Sequence, residues 1–289
     1  MKSKRTLKYY YAKAQKEGWA MAQFNWSSAE MLKGIVQAAA ALRSPLLVGT
    51  SEGDSGFVGL HQAFALVDSY RKDTRLPIFL NFDHGKSLES IKEAIEAGYD
   101  AVHFDGSDHE LKENIALTKK VVMYARKRGI SVIEGEVGKL LGRSVVHQEE
   151  TIVLDPAGFT KPEEAERFAK ETKVDSLATT FGNVHGIYKK MPPLDFERLQ
   201  KIRKRVESFL VLHGGSGIPD KEVKKVISLG IVKINISTEL RAAFTDTLRN
   251  ALTANPSEIT PYKFFPPIVE AVQKVAEEKI KVFGSANRL

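Results

Sequence analysis

Along this chain short apolar segments rich in β-branched residues alternate with longer stretches whose apolar positions recur at helical spacing. The short segments are "AMAQFN" (20–25), "PLLVGTS" (45–51), "PIFLNFDHG" (77–85), "AVHFDGS" (101–107), "SVIEGEVG" (131–138), "SLATTFG" (176–182), "FLVLHGG" (209–215) and "IVKINIST" (231–238). Between them lie patterns such as "SAEMLKGIVQAAAALR", "SLESIKEAIEAGY", "KPEEAERFAKET" and "KEVKKVISLG", bounded by Gly or Pro, which predict amphipathic helices. Near-continuous apolar strands joined by helices predict a parallel sheet covered by helices. Eight such units predict closure into a (β/α)8 TIM barrel; a doubly wound open sheet is the alternative.

No Pro/Gly/Ser-rich linker divides the 289 residues, so residues 1–289 are expected to form a single barrel domain. Two additions flank it. "TLKYYYAKAQKEG" predicts an N-terminal helix capping the barrel bottom, and "PYKFFPPIVEAVQKVAEEKIKVFG" predicts an extra C-terminal helix entered through prolines. The latter is apolar over much of its circumference, a pattern expected of packing on a partner subunit. "KLLGRSVVHQEETIVLDPAGFT" (139–160), after the fifth strand, reads as an irregular functional loop.

Composition narrows the chemistry. With 43% hydrophobic and 27% charged residues the chain reads as an ordinary soluble protein. Its lack of cysteine excludes disulfides, thiolate catalysis and thiolate metal sites, so any metal must be held by His and carboxylates. The net charge of +7 comes from Lys and Arg interspersed with acids on the predicted helices, without a basic run interleaved with aromatics. That distribution predicts a solvated surface and no nucleic-acid partner. No secretory h-region or membrane-length apolar run occurs, so no membrane partner and a cytoplasmic location are expected.

Active sites of such barrels lie at the C-terminal strand ends. Strand three there ends in Asp83 and His84, strand four in Asp105, and strand five in Glu134 and Glu136. Strand six ends in Asn183 and His185, strand seven in His213, and strand eight in Asn235, Ser237 and Thr238. Three of the seven histidines, His84, His185 and His213, follow apolar strands and precede glycine, in "DHG", "VHG" and "LHGG". Three imidazoles on one rim predict a zinc site with a position open to substrate. His103, two residues from Asp105, is expected to serve barrel packing or to bond a site residue; His61, His109 and His147 receive no role. "HGGSG" (213–217) and "NIST" (235–238) offer amides and hydroxyls suited to phosphate oxygens.

Taken together, "DHG", "HFDGS", "EGEVG", "GNVHGIYK", "LHGGSG" and "KINIST", in this order, resemble the class II, zinc-dependent ketose-bisphosphate aldolases of the fructose- and tagatose-bisphosphate type. The resemblance runs from "AQFN" near residue 22 through "STELRAAF" near 244. It implies that His84, His185 and His213 hold catalytic Zn2+, and that Asp83 donates the proton to the aldehyde carbonyl. Asp105 and Glu136 match positions for a second or displaced cation. Gly186, Gly214, Gly215, Ser216, Asn235, Ile236, Ser237 and Thr238 match contacts to the ketose phosphate, with Asn25 and Lys189 as further candidates.

Aldol cleavage leaves an enediolate on the ketose half, and a Lewis-acidic cation stabilises such charge, so no lysine Schiff base is required. The expected reaction is reversible cleavage of a ketohexose 1,6-bisphosphate, fructose 1,6-bisphosphate first, to dihydroxyacetone phosphate and glyceraldehyde 3-phosphate. The resemblance also implies a phosphorylated-sugar substrate, a place in glycolysis, and a homodimer or homotetramer. The alternatives are a zinc aldolase for tagatose bisphosphate or another phosphoketose, and a non-catalytic phosphosugar-binding barrel.

Two departures from the family pattern stand out. Asn81 occupies the position of the usual histidine in "H-x-D-H", and "KLLGRSVVHQEE" replaces a Gly-Gly loop leading to the mobile base. Glu149 or Glu150 is the candidate base from this altered loop, with Lys139 and Arg143 as candidate phosphate contacts.

Overall fold

The computed structural model describes residues 5–289, the side chains of Gln148, Glu149 and Glu150 excepted. Among the described residues there are ten strands: β1 Met21–Asn25, β2 Leu46–Ser51, β3 Ile78–Gly85, β4 Ala101–Phe104, β5 Val132–Val137, β6 Gly142–Thr151, β7 Ser176–Thr179, β8 His185–Lys190, β9 Phe209–Leu212 and β10 Ile231–Ile236. Eight of them close a parallel barrel in the order β1-β10-β9-β7-β5-β4-β3-β2. They correspond to the eight apolar segments of the sequence. The helices are α1 Leu7–Glu17, α2 Ala29–Ala41, α3 Glu52–Val58, α4 Leu60–Thr74, α5 Leu88–Ala97, α6 Leu111–Lys127, α7 Pro162–Thr172, α8 Phe196–Arg205, α9 Asp220–Ser228, α10 Thr238–Ala254, α11 Pro261–Phe264 and α12 Pro266–Val282. No helix among the described residues is long and apolar enough to cross a membrane.

Local signals set these elements. Ser28 and Ser87 cap α2 and α5 by accepting the backbone N–H groups of Met31 and Ser90. Ser51 and Asp54 form a capping box that starts α3 directly at the end of β2. Helix α1 closes the bottom of the barrel as expected. Its Tyr10 and Tyr11 rings stand edge-on to Phe79 and Phe209, with centroids 5.9 and 5.6 Å apart, over Leu47, Ala101, Val132 and Val232.

Two expectations change. The stretch 139–160 is not wholly irregular: β6 runs parallel beside β8, with Gly142 opposite His185 and Val146 opposite Ile187. The stacked rings of His147 and Tyr188, 4.3 Å apart, staple the pair. Helix α12 buries Ile268, Val269, Val272, Ala276 and Ile280 within its own chain, packed against α2, α10 and β1. Its apolar pattern therefore has an intramolecular cause.

Inside the barrel the alternation of strand side chains sorts two environments. Phe24, Leu80, Phe82, Val102, Phe104, Ile133, Leu212 and Ile234 face the helices as part of the main core. Their alternates Gln23, Asn25, Asn81, Asp83, His103, Glu134, Glu136, Ser176, Lys233 and Asn235 are all buried. Most of these bond one another across the lumen. Gly49 makes room for this polar layer, since a Cβ there would lie 2.6 Å from Gln23 Nε2.

Candidate active site

Adjacent residues of a regular strand point to opposite faces, so Asp83 and His84 should not both reach the lumen. They do, because the register of β3 against β4 shifts between Phe82 and Gly85, and His84 adopts a left-handed φ of 53°. This bulge turns both side chains into one cavity at the C-terminal end of the barrel. Left-handed backbone in a non-glycine residue is costly and persists where the surrounding structure imposes it.

The three histidines of the rim meet there. His84 and His213 rings lie 4.6 Å apart between centroids, and His84 and His185 rings 5.1 Å apart. His84 Nδ1 faces Asp105 Oδ2 at 2.9 Å, and His213 Nε2 faces Glu134 Oε1 at 2.7 Å. With those N–H groups donated to carboxylates, His84 Nε2 and His213 Nδ1 confront each other at 3.0 Å. Two imidazole lone pairs at that distance repel unless a proton or a cation lies between them. Burial, then the nearby His84 and His213, push the pKa of His185 down to about 3, so its ring stays neutral and able to donate a lone pair.

The donor set fits a divalent ion of the zinc type: imidazole nitrogens, those of His84 and His213 with their far sides anchored by carboxylates, while His185 lines the cavity outside the tight clusters of ligand atoms. Ligand atoms of Asp83, His84, His103 and His213 lie within 4.8 Å of one another. So do those of His84, Asp105 and Glu136, the cluster containing both acids expected to take a second cation. Ser107 Oγ and Lys86 Nζ hold Asp105 at 2.6 and 2.8 Å.

Asp83 is buried and fixed by Asn25 Nδ2 at 2.8 Å and Asn235 Nδ2 at 3.1 Å. Burial alone would raise its pKa; the charges of His84, His103, His213 and Lys233 instead hold it well below the usual carboxylate range. Asn81, the departure from the family pattern, heads a directed chain to this group. Its Nδ2 donates to Gln23 Oε1 at 2.9 Å, Gln23 Nε2 donates to Asn25 Oδ1 at 3.1 Å, and Asn25 donates to Asp83. His103 lies between Asp83 and Glu136, 3.5 and 3.2 Å from their carboxylates.

Behind His213, Glu134 also accepts from Lys233 Nζ at 2.8 Å and Ser176 Oγ at 3.2 Å. Burial opposes ionisation of Glu134, but Lys233 and the imidazoles keep its pKa below the ordinary range. Lys233, only 1% exposed, was given no role by sequence reasoning. The available signal was its two-residue spacing from Asn235, which places both on the inner face of β10.

Among the expected phosphate contacts, Gly186, Gly214, Ser216, Asn235, Ser237, Thr238 and Asn25 line the cavity. Gly214 has φ 67°, and a Cβ there would meet the Val184 carbonyl oxygen at 2.1 Å, so glycine is required. Helix α10 starts at Ser237 without a side-chain cap, and the buried Ser237 Oγ and Asn235 Oδ1 have no hydrogen-bond partner. An uncapped helix N-terminus beside unpartnered polar atoms suits an anion.

Gly215, Ile236 and Lys189 do not line the cavity: Gly215 bonds the Asn235 carbonyl, Ile236 packs in the core, and Lys189 is exposed on β8. Lys139 pairs with Asp108 at 2.7 Å, and Arg143 is exposed on β6. The side chains of Glu149 and Glu150 lie outside the described residues. Ser51, Ser144 and Arg241 line the cavity without having been singled out. Ser51 ends β2 opposite Asp83, and Arg241 lies one helical turn beyond Thr238, so strand-end and i,i+3 reasoning could have found both.

The profile of the family described as fructose-bisphosphate aldolase class-II matches residues 5–288. This chain belongs to that family. Among relatives of this class II aldolase is the sulfofructosephosphate aldolase of Alkalicoccus urumqiensis, 41% identical over 277 residues, covering 95% of this chain and 94% of the relative. The crystal structure of the YdjI aldolase from Escherichia coli K12 superposes with a TM-score of 0.84 at 34% identity, covering 98% of each chain. A putative fructose-1,6-biphosphate aldolase from Coccidioides immitis gives 0.83 at 28% identity, covering 100% of the class II aldolase described here and 99% of the other chain.

Proposed function

We propose that this aldolase reversibly cleaves a ketose 1-phosphate to dihydroxyacetone phosphate and an aldehyde, with His84, His185 and His213 holding a catalytic zinc ion. When bound, zinc supplies Lewis acidity toward the oxygens of the ketose half. The observation that carries the reading is the bulge at Asp83 and His84, which aims a carboxylate and an imidazole into one cavity. As an ionised group, Asp83 accepts the C4 hydroxyl proton in cleavage. The C3–C4 electron pair then stays with the ketose half, and the aldehyde departs. In condensation Asp83 returns that proton to the aldehyde oxygen. Glu149 or Glu150 is the proposed exchanger of the carbon-bound proton. The amides of the loop after β9 and the N-terminus of α10 receive the 1-phosphate.

Fructose 1,6-bisphosphate is the first substrate reading, with the protein as a cytoplasmic homodimer or homotetramer. The 41% identical relative favours a second, sulfofructose phosphate. The test is to load the protein with zinc, supply each sugar, and follow dihydroxyacetone phosphate before and after verified chelation. Turnover should vanish with the metal and return on its readdition; activity that persists without metal overturns the zinc assignment. Asp83→Ala should lower kcat at least about 100-fold, the scale of a general acid-base group, while zinc stoichiometry is retained.

A further inference from the structure

Ser51 and Arg241 line the cavity, and Asp54 bonds both of them. Ser51 pairs in register with Asp83 on the neighbouring strand and lines the cavity with Arg241, which puts this pair on the side of the group assigned to the aldehyde oxygen. Arg241 is the one Lys or Arg side chain among the described residues lining the cavity. It does not arrive as a free cation. Its Nη2 donates to Asp54 Oδ1 at 3.0 Å, and Asp54 is 6% exposed. The other carboxylate oxygen accepts from Ser51 Oγ at 2.7 Å and from the Ser51 amide at 3.1 Å. Both oxygens of Asp54 are thus engaged, and the capping box of α3 fixes the carboxylate directly behind the guanidinium.

We propose that Asp54 is a specificity-determining residue that makes this aldolase select ketose 1-phosphates whose far end carries one negative charge or none. The inference rests on the aldolase reading above and, of its two substrate readings, favours the sulfonate over fructose 1,6-bisphosphate. A phosphate monoester carries about −1.5 to −2 at neutral pH. A sulfonate carries −1, and a hydroxyl is uncharged. Arg241 paired to a buried carboxylate forms a neutral unit. Its remaining N–H groups can hydrogen-bond a sulfonate, carboxylate or hydroxyl, whereas a second phosphate there brings nearly two charges up to the buried Asp54 carboxylate. The 1-phosphate end has its own donors at Gly214, Ser216 and the start of α10, so it does not need Arg241.

The test compares kcat/KM of the zinc-loaded protein for fructose 1-phosphate, sulfofructose 1-phosphate and fructose 1,6-bisphosphate, in the wild type and in Asp54→Asn. Asn keeps a side-chain oxygen for the Ser51 contacts while removing the charge. The wild type is expected to favour at least one of the first two over the bisphosphate by about tenfold or more, the scale of one charge-assisted hydrogen bond. Asp54→Asn should shift the ratio towards the bisphosphate by a similar factor. A wild-type preference for the bisphosphate, or a ratio unmoved by Asp54→Asn, overturns the inference while leaving the aldolase reading intact. Absence of turnover of all three sugars at full zinc occupancy overturns both.

Discussion

Lys233 and Glu134 form an ion pair that water does not reach. Lys233→Met leaves Glu134 buried with Ser176 and His213 as its remaining partners. Loss of one member of a buried pair typically costs about 3–5 kcal/mol. We expect urea unfolding to show a loss of that order, and Glu134→Gln combined with Lys233→Met to recover more than half of it. Because Glu134 orients His213, Lys233→Met should also weaken zinc binding about 10- to 100-fold by equilibrium dialysis. Undiminished affinity would separate the pair from the metal site. At the opposite wall, Asn81→Leu removes the first donor of the amide chain and leaves Gln23 Oε1 buried without it. A stability loss of about 1–3 kcal/mol is expected. Asn81 therefore does by hydrogen bonding, through Gln23 and Asn25, a positioning task that needs no charge of its own.

Among the elements, the helices that close the barrel ends have opposite duties. Helix α1 buries its tyrosines against the first residues of the strands and lies at the end away from the cavity. Tyr11→Ala should cost about 3 kcal/mol or more, as large-to-small core changes do, and lower the thermal midpoint without altering KM measured well below it. Gly214→Ala acts at the other end. A methyl group against the Val184 carbonyl must displace the turn after β9, so KM should rise at least about tenfold, with the far smaller change at α1 as comparison. The pairing of β6 with β8 was not legible as a strand because its apolar residues, among them Val145 and Val146, are exposed and its partner lies over thirty residues on. Sequence periodicity reports burial, and an exposed two-stranded flap has little to report.

Across the whole molecule, the barrel gathers into one rim groups that stand far apart in the chain: Asp83 and Asn235 are 152 residues apart, and His84 and His213 are 129 apart. The cost of crowding these ionisable groups falls when a cation occupies the site. Zinc at a hundredfold excess over its Kd should therefore stabilise the native state by about 2.7 kcal/mol, read as a rise in the calorimetric midpoint. An unchanged midpoint in wild type would count against a built metal site. His185→Ala should reduce this rise if its ring contributes a ligand.

The order of eight apolar segments and helical patterns determined the barrel, because parallel strands covered on both faces must be apolar wherever they meet the helices. It also marked many of the side chains that line the cavity, since strand ends and glycines are marked locally. Tertiary structure alone decided the rest. The bulge that turns Asp83 and His84 to the same side depends on how β3 meets β4. The carboxylates that anchor His84 and His213 are chosen by barrel closure, and the pairing of Arg241 with Asp54 joins residues 187 apart. None of these has a local signature, because each arises from the distance between elements rather than from the pattern within one.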